Sequence, residues 1–108
     1  MDGVRTIERG SMYPPEEIER IIQVLRERTI ASTRQVAKGI GRSCAYTKVL
    51  LAFLFGKGRV GCVEVEEKYA VVDASLKAKY WYLVENEERV ITWLAQNSRI
   101  LRWKKLVP

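Results

Sequence analysis

The chain has 108 residues, 47% of them hydrophobic and 30% charged, with a net charge of +6. That is the composition of one small globular domain, neither disordered nor fibrous. No apolar run approaches the roughly 18–20 residues needed to span a bilayer, and the acidic N-terminal stretch has no apolar segment of the secretory kind, so a soluble, cytoplasmic protein is expected. Histidine is absent and cysteine occurs only as Cys44 and Cys62. This leaves no zinc ligand set and no histidine for acid–base catalysis, so neither a cofactor nor an enzymatic activity is expected.

Residues 1–12 lack apolar periodicity and contain Gly3, Gly10 and Ser11, which predicts a loose arm. Tyr13-Pro14-Pro15-Glu16-Glu17 reads as a helix start, with proline in the first turn and acids suited to the helix dipole. Ile18, Ile21, Ile22 and Leu25 follow on one stripe, and the helix should fade near Arg28. Thr29-Ile30-Ala31 fits only a short extended pair. Ser32-Thr33-Arg34-Gln35 is a capping-box pattern opening a second helix with Val36, Ala37 and Ile40 inward. Gly39 and Gly41 permit a tight turn. A third helix starts at Arg42-Ser43-Cys44, runs through Tyr46, Val49, Leu50, Phe53 and Leu54, and ends at Gly56 and Gly58.

Strands follow. In Val60 to Glu66, Val63, Val65 and the two glutamates alternate at period 2, Tyr69 to Val72 is β-prone and extends or pairs with that strand, Asp73-Ala74-Ser75 is a turn candidate, and Lys79 to Val84 reads as a second strong strand. Asn86-Glu87-Glu88 then caps a last helix whose apolar positions are Val90, Ile91, Leu94 and Leu101. The cysteines read as small apolar core residues. A Cys44–Cys62 disulfide is the alternative, since scarce Asn and Gln beside plentiful Glu, Arg and Lys suggest a thermophile, where intracellular disulfides occur.

The charge is unevenly placed. Thr29 to Arg59 holds Arg34, Lys38, Arg42, Lys48, Lys57 and Arg59 and no acid. A solvated helix face usually mixes signs, so this segment predicts a surface that meets phosphates, with an acidic protein partner as the alternative.

The segment from Ser32 to Val84 resembles the winged helix-turn-helix family of small archaeal and bacterial transcription regulators. The resemblance rests on Val36-Ala37-Lys38-Gly39-Ile40-Gly41-Arg42-Ser43, Leu50-Leu51 and Gly58-Arg59-Val60. It implies an α+β fold of three helices and a β-wing over residues 13–84, to which residues 85–108 add a C-terminal helix. It also implies double-stranded DNA as the partner, with the helix near Arg42 entering the major groove. Arg42 is then the guanine reader and Ser43 a base or phosphate contact, with Lys48 and either Tyr46 or Thr47 beside them. Arg34 and Lys38 would position the backbone, and Lys68, Lys77 or Lys79 would add wing contacts, weakened by Glu64, Glu66 and Glu67. Thr47 departs from the pattern, which has an aliphatic core residue there. Either Thr47 is buried with its hydroxyl bonded back to a helix carbonyl, or the helix is rotated so that Tyr46 is inward.

Tyr80-Trp81-Tyr82 fits either base stacking or a strand packed on both faces. The last helix is apolar around much of its girth, which predicts a homodimer with Val90, Ile91, Trp93, Leu94 and Leu101 in the interface. Two other functions fit the same sequence: a winged-helix protein–protein adaptor and an RNA-binding winged-helix protein. The glycines form neither a dinucleotide-binding nor a P-loop pattern.

Overall fold

The computed structural model describes residues 13–68 and 75–108. The expected N-terminal arm, the strand at Tyr69–Val72 and most of the turn that follows it lie outside the described residues. Within them the chain is mixed α+β, with four α-helices and a four-stranded antiparallel sheet.

Helix α1 (Pro15–Arg28) starts with proline in its first turn, and the Pro14 carbonyl accepts from the Glu17 and Ile18 amides at 3.2 Å each. Its inner stripe buries Ile21, Ile22 and Leu25. The helix ends on Thr29, whose φ of 53° is left-handed. A β-branched residue there costs about 1–2 kcal/mol, and it turns the chain into β1 (Ala31–Ser32). The capping box is formed as the sequence predicts: the Gln35 amide donates to Ser32 Oγ at 3.2 Å and the Ser32 amide to Gln35 Oε1 at 2.9 Å. It opens α2 (Thr33–Ile40), which buries Val36, Ala37 and Ile40. Gly41 follows with φ 70°, and across it the Arg42 amide donates to the Ala37 carbonyl at 3.1 Å. Only glycine takes this conformation without strain, so the turn fixes where Arg42 begins.

Helix α3 (Cys44–Gly56) is capped by Ser43, whose Oγ accepts from the Tyr46 amide at 3.2 Å. Gly58, at φ 74°, redirects the chain into β2 (Val60–Lys68). β2 pairs along its whole length with β3 (Ser75–Leu83), from Val60 opposite Leu83 to Lys68 opposite Ser75. A 3-10 turn (Val84–Asn86) leads to α4 (Glu87–Gln96) and then to β4 (Ile100–Leu106).

The last element corrects the sequence reading. The helix ends at Gln96, and Leu101 and Trp103 lie on a strand that pairs with β2, from Cys62 opposite Leu106 to Glu66 opposite Arg102. Asn97 makes the break: its carbonyl accepts from the Ile100 amide at 3.1 Å and its Oδ1 from the Arg99 amide at 3.0 Å. Ile100, Trp103 and Leu106 are the half-buried positions, three residues apart: the register shift between Glu66 and Glu67 sets Ile100 and Trp103 on one face of the sheet, and Leu106 packs on the other. That spacing imitates a helix. The unpaired backbone edge of β2, which needs hydrogen-bond partners, decides for a strand.

The sheet order is β1-β3-β2-β4, and the pleat sends alternate residues to two cores. Val60, Cys62, Trp81 and Leu83 face α1, α2 and α3. Val63, Val65 and Tyr82 face α4 with Ile30, Val90 and Leu94. Tyr82 lies directly over Gly61, where any Cβ would fall within 2.5 Å of its ring. No described helix is long and apolar enough to cross a membrane.

Candidate nucleic-acid interface

Helix α3 turns Thr47, Leu50, Leu51 and Leu54 into the core. The exposed positions are Cys44, Ala45, Lys48, Val49, Ala52 and Gly56, a stripe at helical spacing. Thr47 is wholly buried and its hydroxyl donates to the Ser43 carbonyl at 2.8 Å. The first of the two expected arrangements therefore holds, and Thr47 has no surface to offer a partner. Ser43 is an N-cap, as its position before α3 demands.

Beside the stripe lies a cleft of about 550 Å³. Thr33 and the start of α3 (Cys44, Ala45, Lys48) form one wall, and Glu64, Lys77, Ala78 and Lys79 of the β2–β3 hairpin form the other. Three of the lysines named from the sequence are thus brought together across some 30 residues of chain. Arg34 and Lys38 are exposed on α2, and Ser43 stands exposed at the cleft's helix end. Lys68 lies apart, at the far end of β2, where its amide donates to the Arg99 carbonyl at 2.9 Å. The acid-free segment does not form one surface. Lys57 and Arg59 line a separate cleft with Tyr13, Ile18 and Phe53, and the Lys57 ammonium sits 5.6 Å from the Phe53 ring centre.

The acids of the hairpin are held by neighbouring strands. Glu64 stands opposite Lys79 on β3 and Lys104 on β4, and Glu66 opposite Lys77 and Arg102. Lys104 Nζ lies 3.8 Å from Glu64 and Arg102 Nε 3.2 Å from Glu66. Glu67 accepts from the Tyr80 hydroxyl at 2.6 Å. Burial and this carboxylate push the Tyr80 phenol up to about 12. Two acids among four bases leave the sheet surface next to the cleft positive. The sequence offers Arg102 and Lys104 as bases at the end of a last helix that could touch flanking DNA, and the structure places them instead on β4 beside the hairpin.

Arg42 and Tyr46 go elsewhere, to a residue that the sequence reading assigns only to the helix dipole. Glu17 on α1 is 5% exposed, and its carboxylate accepts from the Tyr46 hydroxyl and from Arg42 Nε. The Tyr46 hydrogen bond, aided by Arg42, holds the Glu17 carboxyl below the ordinary carboxylate range, against the opposing effect of burial. The same contact with Glu17 raises the Tyr46 phenol and the Arg42 guanidinium. Glu17 precedes Ile21 by four residues, so it occupies the buried stripe. An acid at a stripe position is the signal that would have found it.

Among the remaining named residues, Trp81 packs with Phe55 (6.1 Å between ring centres, edge to face) and donates to Thr33 Oγ1 at 2.9 Å. Tyr82 donates to Glu87 at 2.9 Å, and burial first, then Glu87, raises its phenol. Both rings are buried, so neither offers a face for base stacking. Val90 and Leu94, expected in an interface between copies, are instead buried in this chain's second core. Leu101 is exposed on β4, whereas Ile91 (40%) and Trp93 (38%) remain exposed on α4. Neither cysteine is bonded: Cys44 is exposed at the cleft, and Cys62 is buried, its thiol pushed up to about 11 by desolvation. The core reading therefore holds for Cys62 and fails for Cys44. The chain matches no protein-family model and no curated protein.

Proposed function

We propose that this chain is a winged helix-turn-helix protein that binds double-stranded DNA and regulates transcription, with α3 directed to the major groove. The observation that carries this is the cleft in which Lys48 of α3 meets Lys77 and Lys79 of the hairpin. A helix flanked by a basic hairpin can meet base edges and an adjacent phosphate run together. The exposed stripe of α3 offers Lys48 as its one strong hydrogen-bond donor, and Ala45, Val49 and Ala52 are small enough for close approach. Apolar side chains of this size suit thymine methyl groups. Binding therefore rests mainly on phosphates, with modest sequence preference.

Anisotropy titrations of labelled duplexes across a salt series test this. With about 6–10 phosphate contacts, affinity should fall by about 10³–10⁵ between about 50 and 200 mM salt. Binding that is absent, or indifferent to salt, would reject the proposal. The second reading, a protein–protein adaptor, is favoured by Val49, which is 49% exposed amid alanines. It would be marked by a partner that binds the α3 stripe without salt sensitivity.

A homodimer is part of the same proposal, supported by the exposed apolar side chains Ile91 and Trp93 on the two flanks of α4. Sedimentation should give a dimer for the native chain and a monomer for I91E/W93E. A monomeric native chain would reject it.

A further inference from the structure

Arg42, Tyr46 and Glu17 form a unit on the flank of α3 away from the hairpin. Cys44, Ala45 and Lys48 face the cleft, while Tyr46, two residues beyond Cys44, points about 200° round the helix. The Arg42 guanidinium lies 5.0 Å from the Tyr46 ring centre, and its Nε–H donates to Glu17. The Tyr46 hydroxyl donates to the same carboxylate. The acid is buried, yet the arginine side chain is 52% exposed. Stacked on one side and tied at one edge, the guanidinium keeps its two terminal nitrogens for another acceptor. A planar fork of that kind matches a phosphate.

We infer that Arg42 contacts a backbone phosphate across α3 from Lys77 and Lys79, and that Glu17 and Tyr46 are positioning residues that fix it beforehand. The inference rests on the duplex-binding reading above. It makes Arg42 a clamp on one strand of the groove and the hairpin lysines a clamp on the other. It also gives a buried acid a favourable part in binding an anion. A long arginine side chain that is already ordered loses less freedom when it binds.

The sign of one substitution separates this from a purely structural ion pair. Glu17→Gln raises the net charge from +6 to +7, so a simple charge effect tightens DNA binding. If Glu17 positions Arg42, E17Q instead weakens binding roughly three- to tenfold at fixed salt, and Y46F weakens it in the same direction. R42A should weaken binding by about tenfold or more and lower the salt slope by about 1, whereas E17Q keeps the slope because the charge remains. R42K serves as the second variant should E17Q fail to fold: it keeps the slope and loses affinity, since an ammonium lacks the fork. Binding by folded E17Q that equals or exceeds that of the native chain would overturn the positioning role. So would R42A binding with unchanged slope, or R42K binding as well as the native chain. If the native chain binds duplexes in a salt-sensitive manner while these variants behave so, this inference alone falls; if the native chain binds none, both proposals fall.

Discussion

Alanine at Lys48, Lys77 and Lys79 together is expected to remove about three units from the salt slope of duplex binding. The three side chains converge on one cleft from α3 and β3, so they meet neighbouring phosphates and not scattered ones. With a slope near 0.9 per phosphate, the advantage of the native chain over this variant should shrink about 40-fold between about 50 and 200 mM salt. All three lysines are exposed, and exposed substitutions of this kind change stability little. Melting temperature therefore serves as the control. A matching triple variant at Lys57, Arg59 and Arg89, bases that lie away from the cleft, should change the slope much less. Equal losses in the two triple variants would mean that only overall charge matters, and the cleft would lose its claim to the DNA.

The second large effect concerns folding. Trp81 is almost wholly buried between β3 and the three N-terminal helices, packs edge to face with Phe55 and holds the Thr33 hydroxyl. Trp81→Ala is expected to cost about 3–5 kcal/mol, from lost burial and the cavity left behind. A domain of this size is stable by about 5–15 kcal/mol in all, so the variant should melt at least about 10 °C lower. Trp93→Ala, at an exposed position on α4, should shift the melt far less. Chemical denaturation followed by circular dichroism measures both. A Trp81→Ala loss below about 1 kcal/mol would contradict the packing described.

The legible parts of the sequence were those whose signals are local. The Ser32–Gln35 capping box, the proline start of α1, the turn at Gly41 and the period-2 run from Val63 to Glu66 each depend on residues within one turn or one strand, and each forms as read. Residues 100–106 were misread because their partner, the edge of β2, lies more than thirty residues earlier. A bulge at Glu66/Glu67 and burial on both faces of the sheet give them a three-residue rhythm, and pairing overrides it. The site divides the same way. Lys48 is legible from the acid-free segment and Lys77 and Lys79 from the resemblance to a wing, but the link between Arg42 and Glu17 spans 25 residues and depends on how α1 crosses the start of α3. Thr47 was left with two readings, because the phase of an apolar-rich helix such as α3 is set by what it packs on. Val90 and Leu94 looked like an interface because sequence cannot distinguish a second core within the chain from one shared between chains.

The pairing of β4 with β2 has a mechanical consequence. A two-stranded hairpin alone is marginally stable and bends readily. Here a third strand runs beside it from Cys62 to Glu67, and α4 packs on its back through Val63, Val65 and Tyr82. The arm that carries Lys77 and Lys79 is stiffened by β4 as far as Glu67. The span between those lysines and Lys48 is accordingly set by β4, and under the proposed function a groove that fits it would have to conform to the protein.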